Sequence, residues 1–245
     1  MPVVFSNSLG ADMGMWDEVV AALDGRVTAI TYDTAGHGAS SRDPGSLTLD
    51  MLADHALAVT RNYTDDSFLF CGLSLGGLTG MELAARSPDA LSGLVLANTA
   101  TAFPPAQMWT ERAAAALRDG MAPLVAPTLD RWLTTGFREA QPARAEAIAA
   151  MIGATPARGY AAACEVLATS DVSDRLSSIT CQTVAIAGEH DPSTPPARVE
   201  AIVAGISDAQ LRIVPAAHLS AVECPNDFAQ IILSMAEKAQ QRRDA

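Results

Sequence analysis

No stretch of eighteen or more uninterrupted apolar residues occurs in this chain, which argues against a membrane span. Cysteine is scarce and scattered. The four residues, Cys71, Cys164, Cys181 and Cys224, form no C-x-x-C pair and show no metal-like spacing with histidine. They read as reduced, buried, small apolar side chains, and no metal site is expected. Basic residues are also short: 16 against 28 acidic ones, a net charge of −12 and a pI near 4.6. That balance disfavours nucleic acid and anionic membranes as partners, because both are polyanions. The N-terminus, Met-Pro-Val-Val-Phe-Ser-Asn, has no basic n-region and no cleavage site, so no signal peptide is expected and the protein is read as cytoplasmic. Neither internal repeats nor low-complexity tracts are present.

What is present is an alternation. The 245 residues suffice for one α/β domain with an inserted piece. Short β-rich runs at 3–6, 27–32, 67–71, 93–97, 183–187 and 211–214 alternate with helical patterns at 15–23, 49–62, 78–86, 197–204 and 226–239. That rhythm predicts a parallel sheet with helices on both faces. It breaks over 101–175, which is Ala-rich, strand-poor and punctuated by prolines. Residues 101–170 hold six Arg and six acids, so the rest of the chain carries the whole −12. The expected organisation is a core domain of residues 1–100 and 176–245, with 101–175 as a helical cap shaping a substrate pocket.

Gly72-Leu73-Ser74-Leu75-Gly76 fits G-x-S-x-G, with a strand pattern before it and a helix pattern after it. Such a turn forces the serine into a strained conformation and leaves its hydroxyl at a helix N-terminus, where backbone N–H groups favour a developing oxyanion. Ser74 is the candidate nucleophile. A serine hydroxyl needs a base, and only four histidines are available. His37 lies in a tight Gly-rich loop, His55 falls mid-helix, and His190 neighbours Asp191. His218 follows the last strand, where strand C-termini converge, and is the candidate base. Its acid partner is expected after a strand near the Ser74 turn. The loop at Asn98 offers only an amide, so Asp191 is chosen, with Glu189 as the rival. The order Ser74, Asp191, His218 is nucleophile, acid, histidine. Oxyanion donors are expected from the Leu75 N–H and, after the first strand, from the Leu9 N–H.

These features resemble the α/β-hydrolase superfamily, and finer ones resemble the 3-oxoadipate enol-lactonases. The latter are Ser6-Asn-Ser-Leu-Gly10 followed by Met15-Trp-Asp17, Tyr32-Asp-Thr-x-Gly-His-Gly-x-Ser40, Gly188-x-x-Asp-Pro-x-Thr-Pro-Pro196, and Thr155-Pro-x-x-Gly-Tyr-Ala-Ala162. The likeness runs over nearly the full chain. Two departures stand out. Ala35 occupies a position where the family usually carries Arg. The opening antiparallel hairpin is expected to be missing, leaving about six strands and an exposed sheet edge near the N-terminal half.

The resemblance implies hydrolysis of a five-membered enol-lactone bearing a free carboxylate, giving 3-oxoadipate in aromatic catabolism. A triad acyl-enzyme mechanism then needs no cofactor. A carboxylated substrate meeting so acidic a protein needs a local cation, and the cap offers Arg112, Arg118, Arg131, Arg138, Arg144 and Arg158. Arg131-Trp132 is nominated as a fork donor beside a flat apolar wall, although a solvated helix arginine beside a core tryptophan fits the same residues. Two other functions share the scaffold. One is another serine hydrolase, such as a carboxylesterase, a C–C bond hydrolase or a perhydrolase-like relative. The other is a non-catalytic receptor for a small ligand.

Overall fold

A computed structural model of the chain describes residues 1–41 and 43–244. Its centre is a six-stranded sheet in the order β2-β1-β3-β4-β5-β6, with every pairing parallel. The strands are β1 (Pro2–Ser6), β2 (Thr28–Thr31), β3 (Phe68–Leu73), β4 (Leu91–Ala97), β5 (Thr183–Gly188) and β6 (Ala209–Val214). All residues of β3 and β5 are buried. A parallel strand covered on both faces needs a continuous apolar run, and Phe68 to Cys71 supplies one.

Eleven helices surround the sheet among the described residues. On one face lie α1 (Asp17–Ala22) and α11 (Pro225–Asp244), joined through Phe5, Trp16 and Phe228, whose rings stack in tilted and edge-on contacts. On the other lie α2 (Leu49–Arg61), α3 (Leu75–Arg86) and α9 (Pro196–Gly205). Five helices, α4 (Ala106–Asp119), α5 (Ala122–Trp132), α6 (Thr135–Ala140), α7 (Pro142–Ala154) and α8 (Ala157–Thr169), stand between β4 and β5. The short α10 (Ser220–Glu223) precedes α11. No described helix is long and apolar enough to cross a membrane.

The boundaries shift from expectation where local chemistry outweighs periodicity. The helix expected at 78–86 begins at Leu75, because the turn at Ser74 feeds straight into it. The one expected at 15–23 splits into a 3-10 turn, Met13–Trp16, capped by the Asp12 carboxylate, and then α1. The cysteines also divide. Cys71 and Cys164 are buried, whereas Cys181 and Cys224 are only half-buried; all four are free thiols. The N-terminal edge strand β2 exposes Thr28 but buries Ile30. The barer edge is β6, where Gln210, Arg212 and Ile213 face solvent.

The chain runs from β1 out to β2, then returns to the other side of β1 for β3. Strand order therefore reverses at β1, and the crevice beyond the carboxyl ends of β1 and β3 is where a doubly wound sheet binds ligands.

Candidate active site

Ser74 links β3 to α3 with φ 58° and ψ −112°, a positive φ that a non-glycine residue rarely adopts. Its backbone is held on both sides. Its N–H donates to Ala97 O at 2.9 Å, and its carbonyl accepts from Thr99 Oγ1 at 2.7 Å. Two glycines make the turn possible by close approach. A Cβ on Gly72 would lie 2.1 Å from Gly76 O, and one on Gly76 would lie 2.2 Å from Ser6 O. Leu75 then opens α3, at an end where N–H groups have no partner within the helix.

Asp191 lies after β5 and is 3% exposed. Oδ1 accepts the N–H groups of Ser193 at 2.7 Å and Thr194 at 3.1 Å. Oδ2 accepts Thr194 Oγ1 at 2.6 Å, Asn98 Nδ2 at 2.9 Å and His218 Nδ1 at 2.8 Å. Burial raises its pKa, but attraction to a protonated His218 and the hydrogen bonds from His218, Thr194 and Asn98 outweigh this and hold the carboxyl well below its ordinary range. A carboxylate only accepts, so His218 carries a proton on Nδ1, and in the neutral imidazole Nε2 is the acceptor. Glu189, the rival acid, is exposed, as is His190.

Asn98 does more than its sequence position suggested. It sits after β4 at φ 45° and is fully buried. Its Nδ2 also donates to Ala217 O at 3.1 Å, while its Oδ1 accepts the Ser220 hydroxyl in a very short contact. The amide thus ties the acid's loop to the histidine's loop. Thr194 was also missed, although a threonine three residues after Asp191 signals a turn that the aspartate caps.

The loop after β1 is pinned on several sides. Asn7, fully buried, donates to Tyr32 O at 3.0 Å and accepts the Trp16 indole N–H at 2.9 Å. Gly10 N–H donates to His37 Nε2 at 3.0 Å, and Gly10 O accepts Thr155 Oγ1 at 3.1 Å. His37 is fully buried, and burial lowers its pKa to about 4 against a weaker opposing pull from Ala35 O. The expected turn histidine therefore remains a neutral acceptor that fixes the loop bearing Leu9. His55 is half-buried with its ring edge-on to Tyr32.

Ser74, Leu9 and His218 line one cavity of about 520 Å³, together with Trp132, Tyr160 and Trp109. Leu75 is buried and is not among the lining residues. Three arginines line the same cavity: Arg112, Arg131 and Arg198. Among the described residues no Asp or Glu lines it, and none pairs with these three arginines at ion-pair distance. The other four candidate arginines are committed elsewhere: Arg118 to Asp119, Arg138 to Asp130, Arg144 to Glu18 and Arg158 to Asp43. Arg131 is half-buried, with Nη2 donating to Thr128 Oγ1 at 3.2 Å. Burial and the neighbouring Arg112 lower its pKa. The Arg112 guanidinium lies over Trp109, 5.1 Å from the ring centre. Arg198 belongs to α9, outside residues 101–175, and nothing in its sequence context marked it. No group of three or more His, Cys, Asp or Glu able to hold a metal occurs among the described residues.

The sequence profile of the α/β-hydrolase fold family matches residues 1–225. The chain is 37% identical to 3-oxoadipate enol-lactonase 1 of Acinetobacter baylyi, over 97% of this chain and 89% of the relative. It is 36% identical to 3-oxoadipate enol-lactonase 2 of the same organism, over 92% and 85%. The crystal structure of the enol-lactonase from Burkholderia xenovorans LB400 superposes with a TM-score of 0.92 at 32% identity, covering 96% of this chain and 91% of that one.

Proposed function

Given that the chain belongs to the α/β-hydrolase fold family, we propose that it opens the ring ester of 3-oxoadipate enol-lactone to give 3-oxoadipate. The protein is an ester hydrolase of the serine type. The observation that carries the finer reading is the charge of the cavity. A chain of net charge −12 gathers three arginines and no described acid around Ser74 and His218. Such a lining favours a substrate with a free carboxylate. The identity to two enol-lactonases supports the same reading.

In this reading Ser74 Oγ attacks the lactone carbonyl while His218 Nε2 takes its proton, and Asp191 stabilises the imidazolium. The N–H groups of Leu9 and Leu75 receive the oxyanion. Collapse breaks the ring C–O bond. The leaving group is an enolate, which needs little help from an acid; the proton that His218 took from Ser74 passes to its carbon, giving the ketone and a neutral imidazole. Water, losing its proton to His218, then attacks the acyl-enzyme and releases a product with two carboxylates. Every step is proton transfer or acyl transfer, and no cofactor takes part. Arg131 and Trp132 hold the substrate carboxylate and ring, and residues 101–175 act as the cap over them.

Steady-state turnover of the enol-lactone beside an uncharged butyrolactone tests this, with Ser74→Ala as control. The expected result is far higher kcat/KM on the anionic lactone and none in the variant. Equal rates on the two lactones would remove the carboxylate reading. Undiminished rates in the variant would remove the nucleophile.

A further inference from the structure

We propose that Glu223 is a positioning residue that binds the His218 loop to the end of α5, so that the base and the carboxylate clamp form one rigid unit. The inference rests on the roles given to His218 and Arg131 above.

Two backbone segments far apart in sequence run side by side here. Leu219 N–H donates to Trp132 O at 2.9 Å, and His218 N–H reaches Arg131 O at 3.4 Å. The base and the clamp are therefore direct main-chain neighbours, yet only two hydrogen bonds, one of them long, join them. The Glu223 carboxylate, on α10, reinforces this seam from both sides. Oε1 accepts the Ala217 N–H at 2.8 Å, immediately before His218. Oε1 and Oε2 accept the Thr134 N–H at 3.3 and 3.2 Å, and Oε2 accepts Thr134 Oγ1 at 2.5 Å. Thr134 in turn caps α6, its Oγ1 accepting the Phe137 N–H at 3.2 Å. One carboxylate thus holds the histidine loop, the end of α5 and the start of α6.

The chemistry calls for a carboxylate at this place. Three donors from two separate segments converge on it, and an anion with two oxygens can accept them all. Ala217 is consequently held at both ends, its N–H by Glu223 and its carbonyl by Asn98. Its neighbour His218 has little freedom left. Displacements of this kind near the reacting atoms cost rate out of proportion to their size.

The test compares wild type with Glu223→Ala, Glu223→Gln and Thr134→Val. Each is assayed on the enol-lactone and on an uncharged aryl ester, with thermal unfolding followed in parallel. Glu223→Ala is expected to lower kcat on both substrates by about ten- to a hundredfold. It should raise KM for the anionic lactone and leave KM for the uncharged ester unchanged. Glu223→Gln, which keeps one acceptor, should recover most of the lost kcat. Thr134→Val removes one arm of the brace and should raise KM for the lactone alone. A folded Glu223→Ala with wild-type constants on both substrates overturns the proposal, as does a lowered Tm with kinetic constants unchanged. If that variant does not fold, the lactone KM of Thr134→Val decides: a rise supports the coupling and no change overturns it. Should wild type leave the enol-lactone untouched, the substrate reading fails, while kcat and Glu223→Gln rescue on the aryl ester still report on the brace.

Discussion

Replacing Asp191 by asparagine preserves its shape and removes one acceptor. Oδ1 faces the backbone N–H groups of Ser193 and Thr194, at 2.7 and 3.1 Å, and neither can turn away. The single oxygen of an asparagine must therefore stay on that side. Its amide then takes the place of Oδ2 and points a donor at His218 Nδ1, 2.8 Å away in the wild type. The imidazole can accept there only by moving its proton to Nε2, the nitrogen that has to receive the proton of Ser74. Asn98 cannot relieve the conflict by rotating its own amide, because Ser220 donates to its Oδ1 and its Nδ2 also donates to Ala217 O. The substitution thus locks the base in the inactive tautomer. Such a change costs about 10⁴-fold in kcat, or about 5 kcal/mol of barrier, in serine hydrolases of the same logic. The buried Asn98 donor also loses its anionic partner, a stability cost of about 1–3 kcal/mol. Acylation by an activated aryl ester, followed beside thermal unfolding, measures both quantities. A folded Asp191→Asn enzyme within tenfold of wild type would show that Asp191 does not set the tautomer of His218.

Arg131→Ala should raise KM for the anionic lactone about ten- to a hundredfold, the loss of one or two charge-assisted hydrogen bonds, and leave the uncharged ester unaffected; an unchanged KM assigns the clamp to Arg112 or Arg198. His37 should make the fold acid-sensitive. Burial lowers its pKa from 6.5 to about 4, so between those values the unfolded chain binds a proton that the native one refuses. The contribution is intact at higher pH and is lost as pH falls toward 4, by up to roughly 3 kcal/mol. Urea unfolding at neutral and mildly acid pH should show a smaller acid loss in His37→Gln than in wild type; parallel losses defeat the idea. Gly159→Ala should loosen the packing of α8 on the loop around Gly36. Its Cβ would meet Gly36 O at 1.9 Å, and no flexible side chain is there to move aside. A loss of about 1–3 kcal/mol in unfolding free energy is expected, and a neutral result would mean that α8 shifts freely over the loop around Gly36.

The buried strands β3 and β5 were legible in the chain because each is a short apolar run. The reversal of strand order at β1 was not, since it depends on which strands pair rather than on what any one strand contains. Ser74 could be read from its two glycines, whose missing side chains are what allow strand and helix to approach. His218 and Asp191 followed from the rule that ligands gather beyond strand C-termini. Asn98 was passed over as a mere amide. Its value comes from holding residues 191 and 217 together, and both are remote from it in sequence.

The candidate arginines show the division most clearly. Sequence could count six candidates and favour one beside a tryptophan. Only the folded chain shows that four of them are spent in ion pairs, that Arg112 and Arg131 share the cavity with Ser74, and that Arg198 joins them from α9. Local pattern determined the strands, the elbow and the order of its partners, because backbone geometry and burial act over a few residues. Tertiary structure decided which arginines line the cavity and which donors the Glu223 carboxylate accepts, because the pairing of a side chain depends on neighbours that the linear chain does not name.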